Sequence, residues 1–207
     1  MIHIYIDLDG TLIINQKRFE SLLLDILKLK QNEIDIFLEY KKLGFSNIEI
    51  LSKHFGCNKL DIEAFKSKWL KRIEDKHFLK EDSLVDGAKE WLKNVPKNIE
   101  LTLCTARQNR DNLLWQLNDL DIACYFHRVI VTHGNPMKHL FIKEVVGEID
   151  RRSWFIGDSV EDINSGKMLG LRTCAVLTGY TLLDEIVNCS PDLILKKITD
   201  FNLSNLL

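Results

Sequence analysis

Two aspartates near the start of the chain are the residues best suited to do chemistry. Asp7 and Asp9 follow residues 2–6, an apolar and largely β-branched run that is typical of a strand buried inside a sheet. Gly10 comes directly after them and allows a sharp turn. Burying two neighbouring carboxylates is unfavourable because each loses its hydration and the two repel each other. A bound cation or a charged ligand would offset that repulsion, so we interpret the pair as part of an active site.

The Asp-x-Asp-Gly string also has two simpler interpretations. A calcium-binding loop would place Tyr5 at the first ligand position and Gln16 at the last, and neither suits that position. A plain turn, in which an aspartate caps the backbone, is the commonest use of Asp-Gly. The string alone leaves that second interpretation open, so the rest of the chain has to decide.

Size and composition are those of an ordinary globular protein. The chain has 207 residues, 45% hydrophobic and 28% charged, enough for one large domain or for a core with a smaller one. A formal net charge of −2 gives no reason to expect a nucleic acid or an anionic membrane as partner. The five cysteines are scattered and form no Cys-x-x-Cys pair, which favours a reduced, cytoplasmic protein. We expect no signal peptide and no membrane span.

The elements that must position the aspartates fall into two groups. Helical spacing of apolar residues predicts four helices and no strand over residues 15–84, at 16–30, 33–43, 46–54 and 59–76. From residue 85 onward helices and strands alternate, with strands at 99–104, 128–132, 154–156, 173–177 and 193–195, helices between them and a helix at the end. This alternation predicts an α/β fold with a mostly parallel sheet. The first strand belongs to that sheet, so we predict a core of residues 1–14 and 85–207 with a helical insertion at 15–84.

Further polar residues occur where the predicted strands end. Thr105 follows a strand and offers a hydroxyl beside turn N–H groups, although loop chemistry alone explains a single threonine there. Lys138 opens a helix, where its charge opposes the helix dipole, and neutralising a bound anion would explain its position. A solvated surface lysine is nevertheless the commoner case, and Lys143, one turn later, is a competing candidate. Asp158 and Asp162 follow the strand predicted at 154–156 and are one helical turn apart. This spacing suits a hard cation and also suits a helix N-cap.

Together these motifs resemble those of the haloacid dehalogenase-type hydrolases, in the subclass with a helical cap inserted after the first motif. Residues 7–11 match the first motif, Thr105 the second and residues 157–162 the fourth. Lys138 is matched to the third motif by inference, because the usual Lys-Pro pair is absent. The segment 191–195 resembles the last strand of the family, so the likeness covers nearly the whole chain. It implies a Rossmann-like core and a cap that closes over the site.

The resemblance implies a role for each matched residue. Asp7 would be the nucleophile that forms an aspartyl phosphate, and Asp9 the general acid and base. Thr105 and Lys138 would hold and neutralise the phosphoryl group, with Ala106 and Arg107 beside them in substrate binding.

It also implies one cofactor. Mg²⁺ would be bound by Asp7, by the main-chain carbonyl of Asp9 and by Asp158, with Asp162 as a ligand or as a partner of one. Cation and lysine together would cancel the repulsion between an attacking carboxylate and a phosphate dianion.

The expected activity is hydrolysis of a small phosphate monoester. The dehalogenases of the family lack an acid at the position of Asp9 because a halide needs no proton, so its presence favours phosphoryl transfer. A sugar phosphomutase, which keeps the same motifs, is the main alternative; a non-catalytic scaffold that binds a partner is another. The expected partner is a phosphorylated metabolite, which includes a nucleotide, and the chain is expected to be a monomer or a homodimer.

Substrate choice would depend largely on the cap. Candidate contacts are four cap residues and one core residue: His54, Lys71, Arg72, His77 and Arg107. Charged residues on helices are usually just exposed, so a solvated surface is the favoured interpretation for each.

Overall fold

A parallel sheet organises the larger part of the protein. The computed structural model describes residues 2–206. Among these residues the strands are β1 (His3–Ile6), β2 (Ile13–Ile14), β3 (Ser83–Leu84), β4 (Glu100–Thr105), β5 (Arg128–Val131), β6 (Trp154–Gly157), β7 (Arg172–Val176) and β8 (Leu193–Leu195). Six of them pair in the order β5-β4-β1-β6-β7-β8, and every pairing in that sheet is parallel. The predicted α/β fold is therefore confirmed.

The helices of the described chain alternate with the strands only after the first third of the sequence. They are α1 (Gln16–Leu27), α2 (Gln31–Lys42), α3 (Asn47–Lys53), α4 (Lys59–Arg72), α5 (Lys76–Leu79), α6 (Ala88–Lys93), α7 (Arg110–Asp119), α8 (Lys138–Val146), α9 (Val160–Met168) and α10 (Leu183–Asn188). Five of them lie between β2 and β3, and the other five lie between or beside strands of the sheet.

Burial on both faces of the sheet explains why β1 reads as a nearly continuous apolar run. Ile4 and Ile6 belong to one apolar core, whereas Tyr5 belongs to a second core with Phe155 and Cys104. Side chains alternate between the faces of a strand, so a strand covered on both faces needs apolar residues at consecutive positions. β1 lies between β4 and β6, and the carboxyl ends of all three strands reach the same edge of the sheet because the strands are parallel.

The chain divides into two compact units. One combines Met1–Ile14 with Ser83–Leu207 and contains the sheet, and the other is Asn15–Asp82 and contains the five helices α1–α5. We predicted no strand in residues 15–84, and this is wrong for the last two residues. Ser83 and Leu84 form β3, which pairs antiparallel with β2. A two-residue strand is too short to show a periodic pattern, so the sequence carried no sign of it.

Two other predicted helices differ from the structure. The helix predicted at 59–76 stops at Arg72, and α5 forms separately after Asp75, whose backbone is extended at ψ 137°. The predicted terminal helix is wrong, because Ile198–Asp200 and Leu203–Leu206 form 3₁₀ turns instead. The indole Nε1 of Trp91 donates to the carbonyl of Phe201 at 3.0 Å, and this contact holds the chain between the two turns.

The helical unit has its own core and its own buried ion pair. Leu23, Phe37 and Phe65 pack in one apolar cluster of this unit. Arg18 in α1 and Asp82 at the end of the unit pair at 3.2 Å, with side chains only 2% and 0% exposed. This pair joins the first helix of the unit to its last residue.

Within the described range, every helix is too short or too polar to cross a lipid bilayer.

The buried ion pair predicts a measurable contrast between two arginines. Replacing Arg18 by Met leaves the Asp82 carboxylate buried without its cation, which should lower the free energy of unfolding by about 3 kcal/mol. Arg72 pairs with Asp25 in the same unit, but both side chains are more than a third exposed, so Arg72→Met should have a far smaller effect. Urea denaturation of the full chain, followed by far-UV circular dichroism, checks this. Equal effects of the two substitutions would show that burial of the Arg18 pair does not matter.

Candidate active site

The aspartates predicted from the motifs meet at the carboxyl edge of the sheet. Asp7 directly follows β1 and is positioned by its backbone N–H, which donates to the carbonyl of Ile156 in β6 at 2.9 Å. Asp158 follows β6, and Asp162 lies in the first turn of α9. Each of the three aspartates offers a carboxylate oxygen, and these oxygens lie within 4.8 Å of one another. The parallel pairing of β1 with β6 therefore creates the cluster.

Lys138 inserts its ammonium group into this cluster. Nζ of Lys138 donates to Oδ1 of Asp7 at 2.5 Å and to Oδ1 of Asp162 at 2.6 Å. The lysine is the first residue of α8 and is only 4% exposed. Lys143, the competing candidate, is exposed. The structure thus places Lys138 among the aspartates and leaves Lys143 on the surface.

Asp162 makes two kinds of contact. Its Oδ2 accepts hydrogen bonds from the backbone N–H and the hydroxyl of Ser159, while its own N–H donates to that hydroxyl at 3.2 Å. This is the capping box that begins α9. The other carboxylate oxygen is the one that accepts from Lys138. Asp162 therefore has both predicted roles: Oδ2 takes part in capping α9, and Oδ1 belongs to the carboxylate cluster.

Burial and neighbouring charges shift the pKa values of the groups in this cluster. Burial raises the pKa of Asp7 to about 7; Lys138 lowers it, and the carboxylates of Asp162 and Asp9 raise it. The pKa of Asp158 is raised well above its usual range, first by burial and then by Asp7 and Asp162. Burial alone would lower the pKa of Lys138, but Asp162 and Asp7 outweigh that effect and raise it. Lys138 therefore stays an ammonium, and the carboxylates still repel one another.

Asp158 lies in a narrow slot between two glycines. A Cβ atom on Gly10 would lie 2.5 Å from Oδ2 of Asp158, and a Cβ on Gly179 would lie 1.6 Å from the same atom and 2.8 Å from its Cβ. The hydroxyl of Thr11 donates to Oδ1 of Asp158 at 3.3 Å, and the hydroxyl of Thr178 donates to the carbonyl of Gly10 at 2.5 Å. The loop after β7 thus helps to fix this carboxylate.

Sequence analysis missed Thr178 and Gly179. Their one signal was position, since they follow a strand of the parallel sheet at its carboxyl end. A glycine in a loop ordinarily marks only a turn, so nothing in the local pattern pointed to a contact with Asp158.

The residues after β4 separate into three environments. Thr105 is buried at the end of the strand, and its Oγ1 accepts the backbone N–H of Arg107 at 3.4 Å. Ala106 is exposed. Arg107, for which we favoured a solvated surface, is 5% exposed and forms an ion pair with Asp9, so that interpretation is wrong. Desolvated guanidinium groups need such a partner.

The other candidate contacts belong to the helical unit. His54, Lys71 and His77 are exposed, in agreement with a solvated surface. Arg72 is half-buried and pairs with Asp25.

The cluster can hold a hard divalent cation. Its donors are carboxylate oxygens from Asp7, Asp158 and Asp162, which is the chemistry that Mg²⁺ and similar ions prefer. Three carboxylates face one ammonium group, so negative charge is left over, and a cation would offset it. Burial is the main cause of the raised pKa values of Asp7 and Asp158, and the neighbouring carboxylates add to it.

Comparison with known proteins defines the class. The family model described as haloacid dehalogenase-like hydrolase matches residues 4–176, well over half of the chain. The chain belongs to the haloacid dehalogenase-like hydrolase family, and the resemblance of its motifs is thereby confirmed.

Particular relatives are more distant. Phosphoglycolate phosphatase 1 of Pseudomonas aeruginosa is 26% identical over 156 residues, which are 72% of this chain and 56% of that protein. The chain thus spans little more than half the length of this curated relative. A candidate phosphatase from Clostridium difficile has a TM-score of 0.78 at 19% identity, over 95% of this chain and 94% of the other. A candidate beta-phosphoglucomutase from Thermotoga maritima has a TM-score of 0.68 at 16% identity, over 100% of this chain and 97% of the other. These two structures share the fold.

The glycine slot predicts that Gly179→Ala weakens binding of a divalent cation at least about tenfold, because the added methyl group overlaps the carboxylate, Cγ and Cβ of Asp158. Calorimetric titration with Mg²⁺ measures this. Gly147→Ala is the matched control, since an added Cβ there meets nothing within 4 Å, although its φ of +72° strains any alanine. The control should lose stability and keep its affinity. Loss of affinity in both variants would mean that general destabilisation is the cause.

The raised pKa of Asp7 predicts that cation binding releases protons. With its pKa at about 7, Asp7 is partly protonated below that pH in the folded protein, and a cation must displace the proton. Cation affinity should therefore rise as the pH increases through about 7. Calorimetry in buffers of different ionisation enthalpy counts the released protons. A heat of binding that is independent of the buffer below pH 7 would contradict the assignment.

Proposed function

We propose that this protein is a Mg²⁺-dependent phosphatase that hydrolyses a small phosphate monoester through an aspartyl phosphate on Asp7. The observation that carries the proposal is the placement of Asp7. One of its oxygens lies 2.5 Å from the ammonium of Lys138, and it shares a cluster with Asp158 and Asp162. A carboxylate attacks a phosphate dianion only where their repulsion is cancelled, and this edge of the sheet collects the groups that would do so.

In the first step a carboxylate oxygen of Asp7 attacks phosphorus. The bond from that oxygen to phosphorus forms as the ester P–O bond breaks, and Asp9 gives a proton to the leaving oxygen. In the second step water attacks phosphorus and gives a proton to Asp9, while the bond between phosphorus and Asp7 breaks. Inorganic phosphate and free Asp7 result, and Asp9 is again protonated for the next turnover.

Three other groups would support these steps. Lys138 would neutralise the phosphoryl oxygens and keep Asp7 oriented through their hydrogen bond. The hydroxyl of Thr105, at the end of β4, would hold a phosphoryl oxygen. Mg²⁺, held by Asp7, the main-chain carbonyl of Asp9 and Asp158, with Asp162 beside them, would supply positive charge where the transferring group gains negative charge.

The helical unit would act as the cap that excludes water and selects the substrate. The cap was expected at residues 15–84, and the compact unit comprises Asn15–Asp82. Antiparallel pairing of β2 with β3 keeps the two connections to this unit side by side, as a hinge would require. The name of the Pseudomonas aeruginosa relative puts phosphoglycolate first among the metabolites to test.

The activity predicts that aryl phosphate hydrolysis needs both a divalent cation and Asp7. Release of inorganic phosphate from p-nitrophenyl phosphate should require Mg²⁺, stop with a chelator, and fall more than about 10⁴-fold in Asp7→Asn, because the amide cannot form the intermediate. Full activity in Asp7→Asn would contradict the proposal. A mutase would instead move the phosphoryl group between positions of a sugar phosphate and release little inorganic phosphate.

A pair of lysines tests the neutralising role. Lys138→Met should lower turnover about 10²-fold or more, because the transferring phosphoryl group loses a fixed positive charge. Lys143→Met, one turn further along α8 and exposed, should leave turnover unchanged. Circular dichroism of both variants confirms that they fold. Similar losses in both variants, or none in Lys138→Met, would remove Lys138 from the mechanism.

A further inference from the structure

The guanidinium of Arg107 holds the carboxylate of Asp9 at two points. Nε of Arg107 donates to Oδ2 of Asp9 at 2.5 Å, and Nη2 donates to Oδ1 at 2.9 Å. Two parallel hydrogen bonds of this kind fix the plane and the direction of a carboxylate, which a single contact cannot do. A lysine at this position could not reproduce the geometry.

Arg107 is itself held in place. Its side chain is 5% exposed, and Nη2 also donates to Oε1 of Gln116 at 3.2 Å. Gln116 lies in α7 and is 1% exposed. The backbone N–H of Arg107 donates to the hydroxyl of Thr105. The Gln116 contact anchors the guanidinium to α7, and the Thr105 contact fixes the backbone of Arg107 beside β4. The side chain of Asp9 remains 24% exposed and accessible to a reactant.

We infer that Arg107 is a positioning residue that fixes the Asp9 carboxyl group for proton transfer, with Gln116 holding the guanidinium. This inference rests on the proposed function. Proton transfer depends steeply on geometry, and a displacement of about 1 Å lowers a rate about 10²-fold. The ion pair holds Asp9 as a carboxylate, which in the second step has to point at the attacking water to accept its proton. A two-point contact from a buried, anchored arginine supplies that direction.

Arg107 separates the two steps of the reaction in a testable way. With p-nitrophenyl phosphate the leaving aryl oxide departs without a proton, so formation of the bond between Asp7 and phosphorus needs little help from Asp9. Cleavage of that bond by water still requires Asp9 to accept a proton. A displaced Asp9 should therefore slow the second step far more than the first, and the aspartyl phosphate should accumulate.

The experiment is rapid-mixing kinetics of Arg107→Ala with p-nitrophenyl phosphate and Mg²⁺. We expect a burst of nitrophenolate equal to the enzyme concentration, a steady-state kcat lowered about 10²-fold, and a KM changed by less than about threefold. Millimolar guanidinium chloride should restore part of the steady-state rate by filling the vacated site. The kcat of Arg107→Lys should also be low, because a lysine keeps the positive charge but cannot donate to both oxygens of Asp9 in parallel.

Two controls define the alternatives. Arg110→Met removes an exposed arginine at the start of α7, whose Nη1 donates to the carbonyl of Val129, and should behave like the parent enzyme. Asp7→Asn tests the proposed function separately. Turnover that survives in Asp7→Asn would refute the covalent mechanism, whereas an inactive Asp7→Asn with no burst in Arg107→Ala would refute only the role of Arg107.

Other outcomes would also overturn the inference. A raised KM with unchanged kcat in Arg107→Ala would make Arg107 a substrate-binding residue, and unchanged kinetics would make its ion pair purely structural. If Arg107→Ala does not fold, Gln116→Leu takes its place, since it frees the guanidinium without removing it. Gln116→Leu should show the same burst with a smaller loss of kcat. Absence of the burst in Gln116→Leu would refute the role of Arg107.

Discussion

Repulsion among three closely spaced carboxylates, two of them buried and one half-buried, is the constraint on which this structure depends. Asp7, Asp158 and Asp162 bring oxygens within 4.8 Å of one another, and one ammonium group, from Lys138, donates to two of them. Such an arrangement is costly in a protein that only has to fold, because removing a charge from water is unfavourable unless it is fully paired. A divalent cation bound among these oxygens would offset the negative charge that is left over.

The surrounding elements hold the carboxylates together against that repulsion. β1 and β6 are paired directly before Asp7 and Asp158, so hydrogen bonds of the sheet set their separation. The Ser159 side chain fixes Asp162 at the start of α9, and the absence of a Cβ atom at Gly10 and Gly179 lets Asp158 pack closely against both residues. These constraints are in place before a substrate arrives, so they require no reorganisation at that point.

Sequence reasoning predicted those parts that have a periodic signal. Alternation of helices and strands revealed the parallel sheet, and polar residues at strand ends revealed the cluster, because both patterns repeat along the chain. It could not choose between Lys138 and Lys143, since both lie on one helix and only packing buries one of them. It misjudged Arg107, whose partner Asp9 is 98 positions away. It also missed Gly179, whose lack of a side chain leaves the space that Asp158 occupies. Such contacts depend on how distant segments meet, which no local pattern records.

The most direct test of the central claim is to look for the phosphoryl group on Asp7 itself. The enzyme would be mixed with a turnover substrate and Mg²⁺, quenched in acid within the steady state, digested, and analysed by mass spectrometry. The account predicts one phosphoryl group on the peptide that contains Asp7, lost once the substrate is exhausted and absent from Asp7→Asn. Turnover at a normal rate with no modified peptide, or with the phosphoryl group on another residue, would contradict it.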